Sequence, residues 1–478
     1  MKPNLYRGGS SNGSENGTTL LREHYPVDKL FEEIAGHFPK MDPALAKIEG
    51  YLEDEKLYRL IKKDLSKRWP KTLETGRGST PVEVILRMLV VKRLYGYSYE
   101  DTERNVSDSL NLRRFCRVFL NDVPDDTTLI RQSNVIQPKT LEKFNERIMQ
   151  LAIERKVTSG RKLRTDGTVV ESNICAPADN RLLADSVRVL ARSMKRACKV
   201  LKTSGEKVKI QFEDFTQTAK QLSRQISETL RTKTEAARTT GRQQYQELLE
   251  MTRKNVVWAR QTEKQLRKRS EQRAKRLAET LATFIPRTEQ VMNQTVRRIL
   301  KGEQVPAQEK IVSVFEAHAD IIRRGKESKP VEYGHKIWLN EVEGGLVSHY
   351  RILDGNPPDE PQWKPSLKAH QATFKHAPQQ ASADRGLSSE PNEQLAHDLG
   401  VHRVIIPKRG YRSKPREKLE HRLWFVKGRK WHAGVEGRIS VLKRAHGLGR
   451  CLAHGLTGFH RWVGWGVIAG NLAVLGRT

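Results

Sequence analysis

The stretch "KLRTDGTVVESNI", Lys162 to Ile174, decides how the rest of this sequence is read. Its β-branched residues around a single glycine predict a strand. Yet an aspartate, Asp166, stands at its centre with Gly167 beside it. A carboxylate inside an apolar strand costs free energy unless a base or a cation meets it. Asp166 is therefore either a turn cap, the common role of Asp before Gly, or one member of a site. The residues outside the strand have to choose between the two.

Composition narrows the choice of partner. The chain has 478 residues, enough for several domains, with a formal net charge of +31 and a pI near 10.0. Such a field does little for an enzyme of small metabolites and much for a binder of polyanions. DNA is thus the expected partner, and a small-molecule substrate is not. No apolar run reaches the roughly 18 residues of a membrane-spanning helix, so a membrane is not expected as partner. The most apolar tail, "FHRWVGWGVIAGNLAVLG", is glycine-rich and entered through His460 and Arg461. Residues 1–25 have no apolar core and read as a disordered leader rather than a signal peptide. Cys116, Cys175, Cys198 and Cys451 lie far apart without a CxxC pair. That excludes a zinc ribbon and fits a reducing, cytoplasmic compartment.

Residues 26–160 read as an all-helical domain, a helix-turn-helix DNA reader or a plain helical domain with a basic surface. "STPVEVILRMLVVKRLYGYS" carries a cap signal at Ser79 or Thr80 with Pro81 at the first helical position, and "PDDTTLIRQSNVIQ" a second cap at Asp126 or Thr127. The strand at Lys162 follows. After it, residues 181–327 form a basic helical insertion. Val208, Phe212, Phe215, Ala219, Leu222, Ile226 and Leu230 step close to a coiled-coil seam. Thr239-Thr240-Gly241 is the expected tip of a long two-armed hairpin. Residues 181–300 hold 28 Lys+Arg against 12 Asp+Glu, an imbalance that predicts contact with the DNA backbone, with helix-mediated dimerisation as the rival reading.

Strand signals resume at "VEYGHKIWLNEVEGGLVSHYRIL", a hairpin turning at Gly344-Gly345. Then come a helix in "WKPSLKAHQATFKHA", a strand ending at Asp384, a helix over 390–399, the strand "HRVIIPKRG" and a helix around "WHAGVEGRISVLKRAHG". This order predicts an α/β (α+β) fold with a mixed sheet over 161–180 and 328–478. On the final helix Glu436, Ser440 and Lys443 share one face, with His432 one turn earlier. Asp166, Asp384 and Glu436 converging from two strands and a helix would suit two hard Mg²⁺ or Mn²⁺ ions working on a phosphodiester.

Four segments carry a family resemblance: "LRTDGTVVESNICAPADNRLL", "PVEYGHKIWLNEVEGGLVSHYRILDGNPPD", "QASADRGLSSEPNEQLAHDLGVHRVIIPKRG" and "WHAGVEGRISVLKRAHGLGRC…GFHRWVGWGVIAGNL". They resemble bacterial insertion-sequence transposases of the DDE type, in the ISNCY-like group. The resemblance implies an RNase H-like core, with Asp166, Asp384 and Glu436 as the catalytic metal ligands. It also implies two Mg²⁺ or Mn²⁺ ions, DNA ends and target DNA as substrates, a homo-oligomeric synaptic complex and a place beside the nucleoid. Lys443, seven residues after the Glu, matches a DNA-contacting lysine of the group. The group often has Tyr and Arg before the Glu, where this chain has Arg429 and His432. Those two, with Arg438, are further DNA-contact candidates. The rival functions are an RNase H-like nuclease or resolvase without strand transfer, and a catalytically silent DNA-binding protein.

Overall fold

The computed structural model describes residues 19–37, 40–68, 77–203, 212–323 and 329–478. Most of the expected leader, and Val208 of the expected seam, lie outside the described residues. The short strands β1 (Thr19–Leu20) and β2 (Arg77–Gly78) pair in parallel. The N-terminal region is helical as expected: α1 (Lys29–Gly36), α2 (Pro43–Leu52), α3 (Glu55–Leu65), α4 (Val82–Tyr95), α5 (Tyr99–Asp108), α6 (Leu110–Phe115), α7 (Asp126–Val135) and α8 (Pro138–Glu154). Two caps differ from the sequence reading. Pro81 is itself the N-cap of α4, and the Ser79 hydroxyl instead takes the Arg22 N–H at 3.1 Å. Helix α7 is capped one residue earlier than expected, by Asp125, whose carboxylate accepts the Thr128 N–H.

Strand β3 (Lys162–Ser172) follows, and the chain then leaves for the insertion. Here the expected hairpin is wrong. The insertion is a bundle of four helices: α9 (Asp179–Thr203), α10 (Thr216–Thr229), α11 (Glu235–Arg267) and α12 (Gln272–Thr295). The first turn falls before Thr234, which caps α11 by accepting the Ala237 N–H. Gly241 is buried inside α11, where a Cβ would come within 2.9 Å of Leu230 Cδ2. Its glycine serves close helix approach, not a turn. The stripe Ala219, Leu222 and Ile226 does face inward, against Tyr245, Leu248 and Val291. A second cluster joins Leu190 and Met194 of α9 to Ala259 and Leu281. The bundle thus has an apolar interior of its own.

The chain returns through β4 (Asp320–Arg323), β5 (Val331–Val342) and β6 (Leu346–Ile352). A buried chain of hydrogen bonds holds this return. Glu316 meets His318 at 2.9 Å, His318 meets His335 at 2.8 Å, and His335 meets Asp320 at 2.8 Å. Gly344 and Gly345 both take positive φ, 85° and 75°, which gives the tight turn the sequence announces. The neighbouring Glu343 accepts N–H groups of Ser159, Arg161 and Lys162 at 2.8–3.0 Å, tying this turn to the start of β3.

Then follow α13 (Trp363–Phe374), β7 (Gln380–Ser382), α14 (Glu390–Asp398), β8 (Arg403–Ile405), α15 (Lys414–Glu420), α16 (Leu423–Ala445), β9 (Arg450–Cys451) and α17 (Gly455–Leu475). The sheet runs β4-β5-β3-β7-β8, with β6 also on β5 and β9 also on β3. β3 is antiparallel to β5 and parallel to β7 and β9. Its β7 partners are residues 162–164 and its β9 partners residues 171–172. Among the described residues, 165–170 therefore have no strand on that side. Asp166 sits in this gap. No described helix is long and apolar enough to cross a membrane.

Candidate active site

Helix α16 closes over the gap, and its glycines set how near it comes. A Cβ on Gly434 would lie 2.5 Å from Arg164 Nη1, and one on Gly428 would fall onto Ile405 Cδ1 of β8. With hydrogen in both places, α16 packs directly on β3 and β8. Arg164 fixes the contact. It holds buried Glu341 of β5 through two hydrogen bonds, 2.7 and 2.5 Å. It also donates to the Trp431 carbonyl of α16 and stacks on the Trp431 ring with its carbon 4.8 Å from the centroid. A bidentate guanidinium–carboxylate pair is a stiff strut.

This packing puts the three sequence-predicted acids on the walls of one cavity. Asp166, Asp384 and Glu436 all line a cavity of about 420 Å³, together with Arg429, His432 and Arg385. Asp384 lies two residues past the end of β7 rather than in the strand. Glu436 is exposed on α16. The Asp166 carboxylate accepts the Gly167 N–H at 2.7 Å. His432 Nε2 meets Asp384 Oδ1 at 3.0 Å, and His432 Nδ1 meets the Ser382 hydroxyl at 3.2 Å.

The electrostatics of the two aspartates diverge. Burial, reinforced by the negative charge of Asp384, pushes the Asp166 carboxyl up to about 6. The hydrogen bond from His432 holds Asp384 below the ordinary carboxylate range. Two carboxyls in one cavity whose environments drive them apart are a mark of a chemical site rather than of a turn. Asp166 caps no turn: it is the fifth residue of an eleven-residue strand.

The donor set fits a hard divalent cation. It is all carboxylate oxygen, and Asp166 carries an ionised form that burial and a like charge both disfavour and that a cation would relieve. Among the described residues no three His, Cys, Asp or Glu side chains are already gathered around one point.

The remaining sequence-predicted residues divide. Arg429 is exposed at the cavity wall, and His432 is inside it. Lys443 is half-buried two turns further along α16 and does not line the cavity. Arg438 faces away from the cavity. It is buried, 3.4 Å from the Asn471 side chain of α17, because α16 turns that face onto the last helix. Sequence reasoning missed Arg164, Glu341 and Ser382, whose roles depend on contacts between distant strands. It also passed over Asp359, whose charge reaches Asp166.

Residues 32–134 match the family model of a transposase domain (DUF772). That match supports a transposase family, and with it a DNA-binding, nucleic-acid-processing enzyme of transposition. It covers α2 to α6 and most of α7, and it stops before the sheet and the three acids. No curated protein and no solved structure matches the chain.

Proposed function

We propose that this chain is a DDE-type DNA transposase with an RNase H-like core, in which Asp166, Asp384 and Glu436 act at the phosphodiester. The observation that carries the reading is their meeting in one cavity at the central strand, with Asp166 and Asp384 perturbed in opposite directions. A mixed sheet with its first strand central, an antiparallel hairpin on one side and two parallel strands on the other, supports the RNase H-like reading.

The three carboxylates would hold one or two Mg²⁺ or Mn²⁺ ions, which activate an attacking oxygen and steady a leaving one when bound. The protein's own part is placement. Ser382 and His432 hold the Asp384 carboxylate in a fixed orientation. Arg164 locks α16 to β3 so that Glu436 and Asp166 face one cavity. Arg429 and Arg385, exposed in the cavity wall, supply positive charge for the scissile phosphate. Lys443 meets a phosphate flanking it.

The test is incubation of the full chain with DNA carrying the element's ends and labelled at the 3′-OH side. Cleavage that requires Mg²⁺ or Mn²⁺, followed by joining of the label to a second duplex, is expected. Asp384→Asn and Glu436→Gln should each abolish both steps and leave binding within a few fold. Cutting without joining would make the protein a nuclease. Cutting by either variant at the wild-type rate would remove that residue from the site.

A further inference from the structure

A larger cavity than the acidic one lies elsewhere, at the root of the insertion. It measures about 750 Å³ and opens between α9, α10, the segment after β3 and residues 312–316. It shares no lining residue with the acidic cavity. Arg181 of α9 stands on one wall. Lys220 and Arg224 of α10, with Arg231 just past its end, stand on the other. All four are exposed, and none has a carboxylate partner among the described residues.

The acids of the groove are largely spent. Asp185 is paired with Arg188 at 2.8 Å. Glu316 is saturated by His454 at 2.8 Å, His318 at 2.9 Å and the Gly455 N–H at 2.9 Å. That leaves Glu228 against four cations. The floor is apolar around Ile174 and Leu182, and Phe315 is 37% exposed with Arg188 stacked 5.3 Å from its centroid. Cationic rims over an apolar floor suit a polyanion with apolar sugars and bases, not an isolated anion.

We infer that this groove is a second DNA-contacting surface, one that holds the sugar–phosphate backbone at a set distance from the cleaved bond. The distance follows from β3. Asn173 lines the groove and lies seven residues past Asp166, about 23 Å at 3.3 Å per residue. At 3.4 Å per base pair that is about six or seven base pairs. The set distance rests on the transposase reading, whereas the binding itself does not.

The test uses the full chain and a labelled duplex, titrated from 50 to 200 mM salt. Each phosphate contact contributes about 0.9 to the slope of log affinity on log salt. The triple variant K220A/R224A/R231A should therefore flatten the slope by about 2.7. Over that fourfold salt range the wild type then loses about fortyfold more affinity than the variant. The charge-conserving K220R/R224K/R231K should keep the wild-type slope, and far-ultraviolet circular dichroism checks that both fold. An unchanged slope in the alanine variant overturns the inference. If that variant instead loses binding to a polyglutamate peptide, the groove belongs to an acidic protein partner. For the distance, single methylphosphonates are placed along the duplex and binding is read with Asp166→Asn, so that no cleavage intervenes. Interference six or seven base pairs from the cleaved position, absent in the alanine variant, is expected. If the wild type never cuts DNA but the slope still shifts, the transposase reading fails and the groove stands.

Discussion

Asp166→Asn should make the metal-free protein more stable at neutral pH while destroying cleavage. The carboxyl stands at about 6 against an ordinary 3.8, first because burial penalises its ionised form and then because Asp384 repels it. The gap between about 6 and 3.8 is worth at most about 3 kcal/mol. Asp166 keeps some contact with solvent, so about 1–3 kcal/mol is expected. The sign follows from proton binding. With the folded value above the unfolded one, the folded state holds more protons, and stability from this group falls as pH rises from about 4 through 6. Above that window the penalty is complete. Asparagine keeps the shape and can still accept the Gly167 N–H, so little else is lost.

Unfolding is to be followed at pH 7.5 and at pH 4 without divalent ions, with hydrogen exchange of the β3 amides as the local readout. The variant should exceed the wild type at pH 7.5 and match it at pH 4. Adding Mg²⁺ should then raise the wild type and leave the variant where it was. A variant less stable than wild type at pH 7.5, or offset equally at both pH values, would refute the reasoning and return Asp166 to a structural role.

Lys443→Ala should weaken binding of end-containing DNA and slow cleavage without changing metal affinity, and Lys443→Arg should recover part of both; a wild-type cleavage rate at limiting DNA would exclude the residue. Gly434→Val should push α16 off β3 at Arg164 and cost about 1–3 kcal/mol with a loss of cleavage. Its control, Gly437→Ala, meets nothing within 4 Å and should be neutral or slightly stabilising in the same thermal melt. Asp54→Ala removes the N-cap of α3 and the clamp on Arg147 at 2.6 Å, at a cost of about 1–3 kcal/mol in urea unfolding at pH 7. Arg147 and the cap hold the Asp54 carboxyl below its ordinary range despite burial, so the gap between variant and wild type should narrow as pH falls below about 4.

Much of this was legible because it depends on local pattern. The strand at Lys162, the Gly344-Gly345 turn and the helix bearing Glu436 follow from alternation, paired glycines and helical spacing. The convergence of Asp166, Asp384 and Glu436 could be reached by deleting the insertion and reading the strands in order. What was not legible depends on approach distances between remote segments. Gly241 reads as a turn residue in sequence, and only Leu230 lying against it shows why a helix keeps a glycine there. Arg438 and Glu436 are two residues apart on one helix, yet α17 buries the first and leaves the second exposed. The Arg164–Glu341 strut spans strands separated by the whole insertion, so no local pattern announces it.

The last helix also changes what the N-terminal region is. Its tail, "FHRWVGWGVIAGNLAVLG", reads as apolar without a stripe, and a helix apolar all round has to be buried on every side. α17 is buried in that way, packed against α2, α4, α8, β6 and α16. Asn471 at its middle accepts the Val347 N–H at 2.8 Å and donates to Asn145 of α8 at 2.8 Å. Arg93 of α4 donates to the Trp462 carbonyl at 2.6 Å and stacks on its ring. One hydrophobic cluster consequently runs from Leu45 and Ile61 through Phe144 to Trp338 and Leu472. The boundary that the sequence suggests near residue 160 separates no two cores. The segment that matches a transposase domain is folded onto the sheet that carries the acids, through a helix from the far end of the chain. On the proposed function, DNA bound by that segment would be held at a fixed geometry to Asp166.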